Sequence, residues 1–116
     1  MAGLTRSSCV PCRGGVPTLT AEEIAALAPE APEWRVTEVG GIKRLEREFR
    51  FKDFRAAMDF AVRVGELAER EQHHPDLHVA WGKVVVETWT HKIGGLHRND
   101  FILAAKTDEI YRGPTA

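Results

Sequence analysis

The chain has 116 residues, with 16 Lys+Arg against 17 Asp+Glu, a formal charge of -1, and a hydrophobic fraction of 43%. That length holds one core and not two, the apolar fraction argues against disorder, and the balanced charge argues against a dedicated nucleic-acid binder. Two cysteines cannot build a disulfide framework, and no apolar run approaches the roughly 18 to 20 residues of a membrane span or forms the h-region of a secretory signal. The expectation is a cytoplasmic single domain with neither nucleic acid nor membrane as partner.

Residues 1–18, punctuated by Ser7, Ser8, Pro11, Gly14, Gly15 and Pro17, carry no period and read as an irregular arm. Thr20 and Glu23 then form a capping box, in which the hydroxyl and the carboxylate each satisfy a free amide at a helix start. Ile24, Leu27 and Ala28 make its short apolar stripe before Pro29 and Pro32. Trp34 to Thr37 predicts a strand, and Gly40-Gly41 the turn into a second, from Ile42 to Phe51. There Leu45, Phe49 and Phe51 share one side, interrupted by Arg47, while Arg44, Glu46, Glu48 and Arg50 share the other, the mark of a half-buried antiparallel strand.

Asp53 caps a long helix through about Gln72. Phe54, Ala57, Met58, Ala61, Gly65 and Ala68 trace its apolar face, widened by Phe60, Val64 and Leu67. Pro75 enforces the stop. Leu77 to Trp81 and Val84 to His91 predict a hairpin around Gly82-Lys83, and Asn99 or Asp100 opens a last helix. Two hairpins separated by a helix predict an α+β domain over residues 19–112, with a four-stranded antiparallel sheet, helices packed on one face, and the order α-β-β-α-β-β-α. Residues 113–116 are a fraying tail.

Five histidines in so short a chain are the compositional signal. His73-His74-Pro75-Asp76 ends the long helix, where the carbonyl end of the helix and the acids Glu69, Glu71 and Asp76 collect negative potential. Two adjacent histidines on a helix point about 100° apart, so one can line a cavity while the other packs nearby. Imidazoles are the side chains that exchange protons near neutral pH, as general acid–base catalysis requires. His91 would share a strand face with Trp89, and Asp100 could orient one imidazole, so a small-molecule pocket is expected where these segments converge. Cys9-x-x-Cys12 is half of a zinc knuckle with no second pair, and no metal ligand set is predicted. Walker, Gly-x-Gly-x-x-Gly and Gly-x-Ser-x-Gly motifs are missing.

Phe51-Lys52-Asp53-Phe54, His73-His74-Pro75-Asp76, Lys83-Val84, Thr90-His91 and Gly95-Leu96 through Asn99-Asp100 resemble, in order and spacing, the pterin-4a-carbinolamine dehydratase family over about residues 20–110. The resemblance implies a homodimer or homotetramer that dehydrates 4a-hydroxytetrahydropterin to quinonoid dihydropterin, recycling the pterin of aromatic amino-acid hydroxylases without a metal or organic cofactor. It further implies that His73 and His91 are the acid and base and His74 a substrate-binding partner. Asp100 would support the histidines, and Pro75, Trp81, Trp89 and Thr90 would line the pterin site. Gln72, Leu77 and Trp89 depart from the family's usual residues. Because other branches of the family assist Rubisco assembly or serve as dimerisation cofactors, the alternative reading is a non-catalytic assembly protein. Its N-terminal arm would then be available to a protein partner.

Overall fold

The computed structural model describes residues 3–10 and 14–113; Cys12 lies outside the described residues. The elements follow the expected order: α1 (Ala21–Leu27), β1 (Arg35–Val39), β2 (Ile42–Arg50), α2 (Phe54–Glu71), β3 (Asp76–Ala80), β4 (Lys83–Thr88) and α3 (Arg98–Arg112). All neighbouring strands pair antiparallel in the order β1-β2-β4-β3. Since β4 is antiparallel to both of its neighbours, β2 and β3 run the same way, and α2 is the crossover between them. That crossover carries the C-terminal end of α2 across the sheet to the end where β4 finishes. No helix among the described residues is long and apolar enough to cross a membrane.

The local signals act as their chemistry dictates. Thr20 Oγ1 accepts from the Glu23 amide and Glu23 Oε1 from the Thr20 amide, closing the capping box of α1. Asp53 caps α2 by accepting from the Ala56 amide at 2.8 Å. The core lies between the sheet and the two long helices, with Leu45, Phe49, Val84 and Val86 of the strands against Ala57, Phe60, Val64, Phe101 and Ile102. On α2 the buried stripe runs Ala57, Phe60, Ala61, Val64, Leu67 and Ala68, while Phe54 and Met58 join Val62 in the solvent. The apolar face is thus narrower than its composition suggests, and the excess forms an exposed stripe at four-residue spacing.

Arg47, the charge that interrupts the apolar side of β2, is held by a specific device. Its guanidinium donates to Asp108 Oδ1 of α3 at 2.7 Å and lies 4.5 Å from the centre of the Phe49 ring. The same oxygen accepts from the Trp34 indole N–H at 2.8 Å. Burial pushes the Asp108 carboxyl above its ordinary range, and the Trp34 and Arg47 donors pull against that shift.

Three segments differ from the sequence reading. Gln72 takes the left-handed conformation, with φ of 53°, and His73 N–H bonds back to Ala68 O, so α2 ends before the histidine pair and neither histidine is helical. The expected 100° divergence gives way to the alternation of an extended chain. At the other hairpin, β4 stops at Thr88 rather than His91: on one side β3 has ended, since Glu87 faces its first residue, and on the other the pairing with β2 ends at Leu45, although β2 itself continues to Ile42. Residues 90–95 close on themselves instead, with Thr90 N–H donating to Gly95 O at 2.8 Å, and His91–Ile93 form a single 3-10 turn. The N-terminal arm also has structure, since Leu4–Arg6 is a 3-10 turn and Leu4 is buried in the core.

Replacing Asp108 with Ala leaves the Trp34 N–H and a largely buried Arg47 without their shared acceptor. The expected cost is about 3 kcal/mol. Urea unfolding of wild type and Asp108→Ala measures it, and a change below about 1 kcal/mol would show the cluster to be peripheral.

Candidate functional site

A cavity of about 490 Å³ opens where the end of α2, the 90–95 loop, the start of α3 and the N-terminal arm meet. Its size lies within the range of small-molecule sites. Behind its wall sits Asp100, wholly buried at 0% exposure. As the third residue of α3 it closes a capping box with His97: Asp100 Oδ2 accepts from the His97 amide at 3.0 Å, and His97 Nδ1 accepts from the Asn99 amide at 3.0 Å. Thr90 Oγ1 donates to the same Oδ2 at 2.8 Å. Oδ1 accepts from Thr88 Oγ1 at 2.8 Å and from His73 Nε2 at 2.6 Å. An ionised carboxylate offers about four acceptor positions, and four donors meet this one. Burial of the charge is thereby offset, and the imidazole is fixed in one orientation.

Once Nε2 of His73 donates to Asp100, the lone pair of the neutral ring lies on Nδ1, which has no hydrogen-bond partner among the described residues. A carboxylate bonded to one imidazole nitrogen fixes the tautomer and the ring orientation. The His73 side chain is only 10% exposed. His74 points the other way, 59% exposed, and its Nε2 meets Glu69 Oε2 at 2.6 Å. His91, at the start of the 3-10 turn, is exposed and packs its ring against Trp89 with centroids 4.5 Å apart. Trp89 is also covered by the Arg44 guanidinium, 3.8 Å from the ring centre, and Arg44 binds Glu87 at 3.0 Å. A cation and an imidazole thus both pack on the indole.

Of the residues singled out by sequence, His73, His74, Trp89, Thr90 and His91 line the cavity, and Asp100 braces His73 and Thr90 from behind. Pro75 follows the histidine pair without lining it. Trp81 lies in the turn at the far end of the β3–β4 hairpin, 72% exposed, and the cavity does not include it. Its position follows from hairpin geometry: β3 leads away from the cavity, and Trp81 sits where the chain reverses.

Other lining residues had not been assigned to the site: Cys9 and Val10 of the arm, Arg70, Glu71 and Gln72 at the end of α2, Lys92, and Asn99. Thr88 was overlooked as well, although it continues the inward row of Val84 and Val86 by strict alternation. Glu71 forms a hub. Burial alone would raise its carboxyl, but the Lys106 ammonium at 2.6 Å and the Cys9 amide at 2.7 Å outweigh that and hold it below its ordinary value near 4.5. Cys9 shows the opposite response: burial, reinforced by the Glu71 charge, pushes its thiol up to about 12.

Residues 17–110 match the family model described as Pterin 4 alpha carbinolamine dehydratase. A protein of Gloeobacter violaceus, named provisionally as pterin-4-alpha-carbinolamine dehydratase 1, is 57% identical over 107 residues, covering 92% of each chain. A Microcystis aeruginosa protein provisionally given the same dehydratase name is 49% identical over 116 residues, covering 100% of both. Among solved structures, a transcriptional coactivator/pterin dehydratase from Brucella melitensis superposes with a TM-score of 0.73 at 31% identity. The match covers 81% of this chain and 98% of that one.

Two outcomes follow from the geometry. Asp100→Ala strands four donors in a buried site, and a loss of about 3 kcal/mol in urea unfolding is expected, where an exposed carboxylate would cost under about 0.5. Because the folded-state value of Glu71 is depressed, its contribution to stability is present above the unfolded value and is lost as the pH falls through the folded one. The stability difference between wild type and Glu71→Gln should therefore be largest near neutral pH and shrink as the pH falls below the ordinary carboxylate value of 4.5. A difference that grows in acid would reverse the sign.

Proposed function

The chain belongs to the pterin-4a-carbinolamine dehydratase family, and from that premise we propose that it dehydrates 4a-hydroxytetrahydropterin to quinonoid dihydropterin and water. The observation that carries the reading is the buried Asp100–His73 bond beside a cavity that also holds His91. The reaction breaks the C4a–O bond, removes the N5 proton and forms the C4a–N5 double bond, so it needs one proton acceptor and one proton donor.

His73 fits the acceptor: Asp100 holds Nε2–H and would stabilise the imidazolium that forms when Nδ1 takes the N5 proton. His91, exposed and set against Trp89, fits the donor to the departing hydroxyl, which leaves as water. The two protons balance, one taken from nitrogen and one given to oxygen, and no electron leaves the substrate. Trp89 lines the cavity beside the His91 ring, Thr90 holds the loop through Asp100, and His74 with Glu69 forms a polar rim. The product would return to the hydroxylases that consume tetrahydropterin after a separate reduction.

Self-association fits the exposed stripe of Phe54, Met58 and Val62 on α2, which a homodimer or homotetramer would bury. The same stripe, together with the coactivator description of the Brucella protein, is what favours a second, non-catalytic reading as an assembly partner.

The test is the decay of chemically generated 4a-hydroxytetrahydropterin, followed by absorbance. Wild type should accelerate it, and His73→Ala and His91→Ala should each lose on the order of 10²–10⁴ in kcat/KM. Decay at the uncatalysed rate with wild type would leave the assembly reading in place.

A further inference from the structure

The N-terminal arm precedes the residues that match the family model, and about a fifth of this chain has no counterpart in the Brucella structure. In this protein the arm is nevertheless fastened to the cavity from two sides. Asn99, buried at the start of α3, makes a reciprocal pair with Val10: its Oδ1 accepts from the Val10 amide at 3.0 Å, and its Nδ2 donates to Val10 O at 2.7 Å. Glu71, at the end of α2, accepts from the Cys9 amide. Leu4 anchors the upstream part in the core. Further along, Leu19 N–H donates to Leu96 O at 2.9 Å, and Thr18 lies so close over Gly95 that a Cβ there would meet its methyl at 2.6 Å. The same N-terminal segment therefore touches the end of α2, the start of α3 and the loop that carries His91.

This bracing is adjacent in sequence to the proton-transfer groups. Asn99, which holds the arm, precedes Asp100, which holds His73; Glu71, which holds Cys9, lies two residues before His73. Both amides of residues 9 and 10 and the Val10 carbonyl are spent on these anchors, and the Cys9 thiol donates to the Asn99 carbonyl at 3.5 Å, so what the pair offers the cavity is the Cys9 sulfur surface and the Val10 side chain. With its thiol value near 12, Cys9 is neutral at physiological pH and presents sulfur as uncharged surface. Val10, 56% exposed, stands at the cavity edge without being part of the core.

We propose that residues 9 and 10 of the arm form a substrate-binding wall of the cavity, so that the arm sets affinity for the pterin and its preference at the ring substituent, while His73 and His91 carry the chemistry. This rests on the pterin reading above. Deletion of the arm would remove Leu4 from the core and confound binding with folding, so the test uses Val10→Trp, which crowds the wall, and Val10→Ala, which opens it. Isothermal titration with 7,8-dihydrobiopterin, a stable dihydropterin without the C4a hydroxyl, reads binding without turnover. Val10→Trp should weaken that binding by about tenfold and raise KM by a similar factor, with kcat falling by less than about threefold; the tenfold corresponds to about 1.4 kcal/mol. Val10→Ala, with the melting temperature of wild type, should narrow the difference in affinity between dihydropterins with small and large ring substituents. Affinities equal to wild type in both variants would overturn the arm's role while the wild-type rate still supports the dehydratase. A wild-type protein that binds no dihydropterin would overturn both.

Discussion

The buried carboxylate of Asp100 ties together three segments of the chain. A wholly buried negative charge is tolerable only if donors replace the water it has lost, and here they come from the end of α2 through His73, from the end of β4 and its following loop through Thr88 and Thr90, and from the first turn of α3 through the His97 amide. Each donor pays part of the desolvation cost, and each is in turn fixed in place. The carboxylate that orients the imidazole is thus also the one that closes the cap of α3. Folding and site geometry share one set of hydrogen bonds.

That sharing explains why small features of the chain matter. The left-handed Gln72 ends α2 before the histidine pair, and the extended alternation that follows sends His73 inward to Asp100 and His74 outward to Glu69. A continued helix would have divided the pair differently. Likewise, β4 stops where its pairing with β2 and β3 stops, and the freed residues fold into a loop closed by Thr90 and Gly95, with Gly94 supplying a φ of 67°. The loop brings the His91 ring against Trp89, and Arg44 packs on the indole from β2. Rigid sheet, packed indole and fixed imidazole are successive consequences of where the strands end.

Most of the architecture was legible because its signals are local. The Thr20–Glu23 box, the alternation around Leu45 and Phe49, and the Asp53 cap act over three or four residues and need no tertiary partner to be read. The convergence of His73, His91 and Asp100 was raised by their places at a helix end, a strand end and a helix start and sharpened by the family resemblance, since nothing in their spacing alone requires contact. What stayed hidden depends on distant partners. Arg47 looked like an interruption until Asp108 and Trp34 lay beside it, and Asn99 looked like a helix cap while its side chain in fact grips Val10. Trp81 was drawn toward the site by family position, but the hairpin carries it to the opposite end of the sheet. The arm's lack of period was real; its order comes from Leu4, Glu71 and Asn99, none of which a period could reveal.

The central claim is that Asp100 holds His73 with its proton on Nε2, leaving Nδ1 to accept one from substrate. Long-range nitrogen–proton correlation spectra of histidine-labelled protein above neutral pH, assigned with His73→Ala, read that tautomer directly. The Nε2–H pattern for His73, lost in Asp100→Ala or replaced there by a mixture, is the predicted result. A His73 that carries its proton on Nδ1 in the wild-type protein, or a pattern indifferent to Asp100, would contradict it.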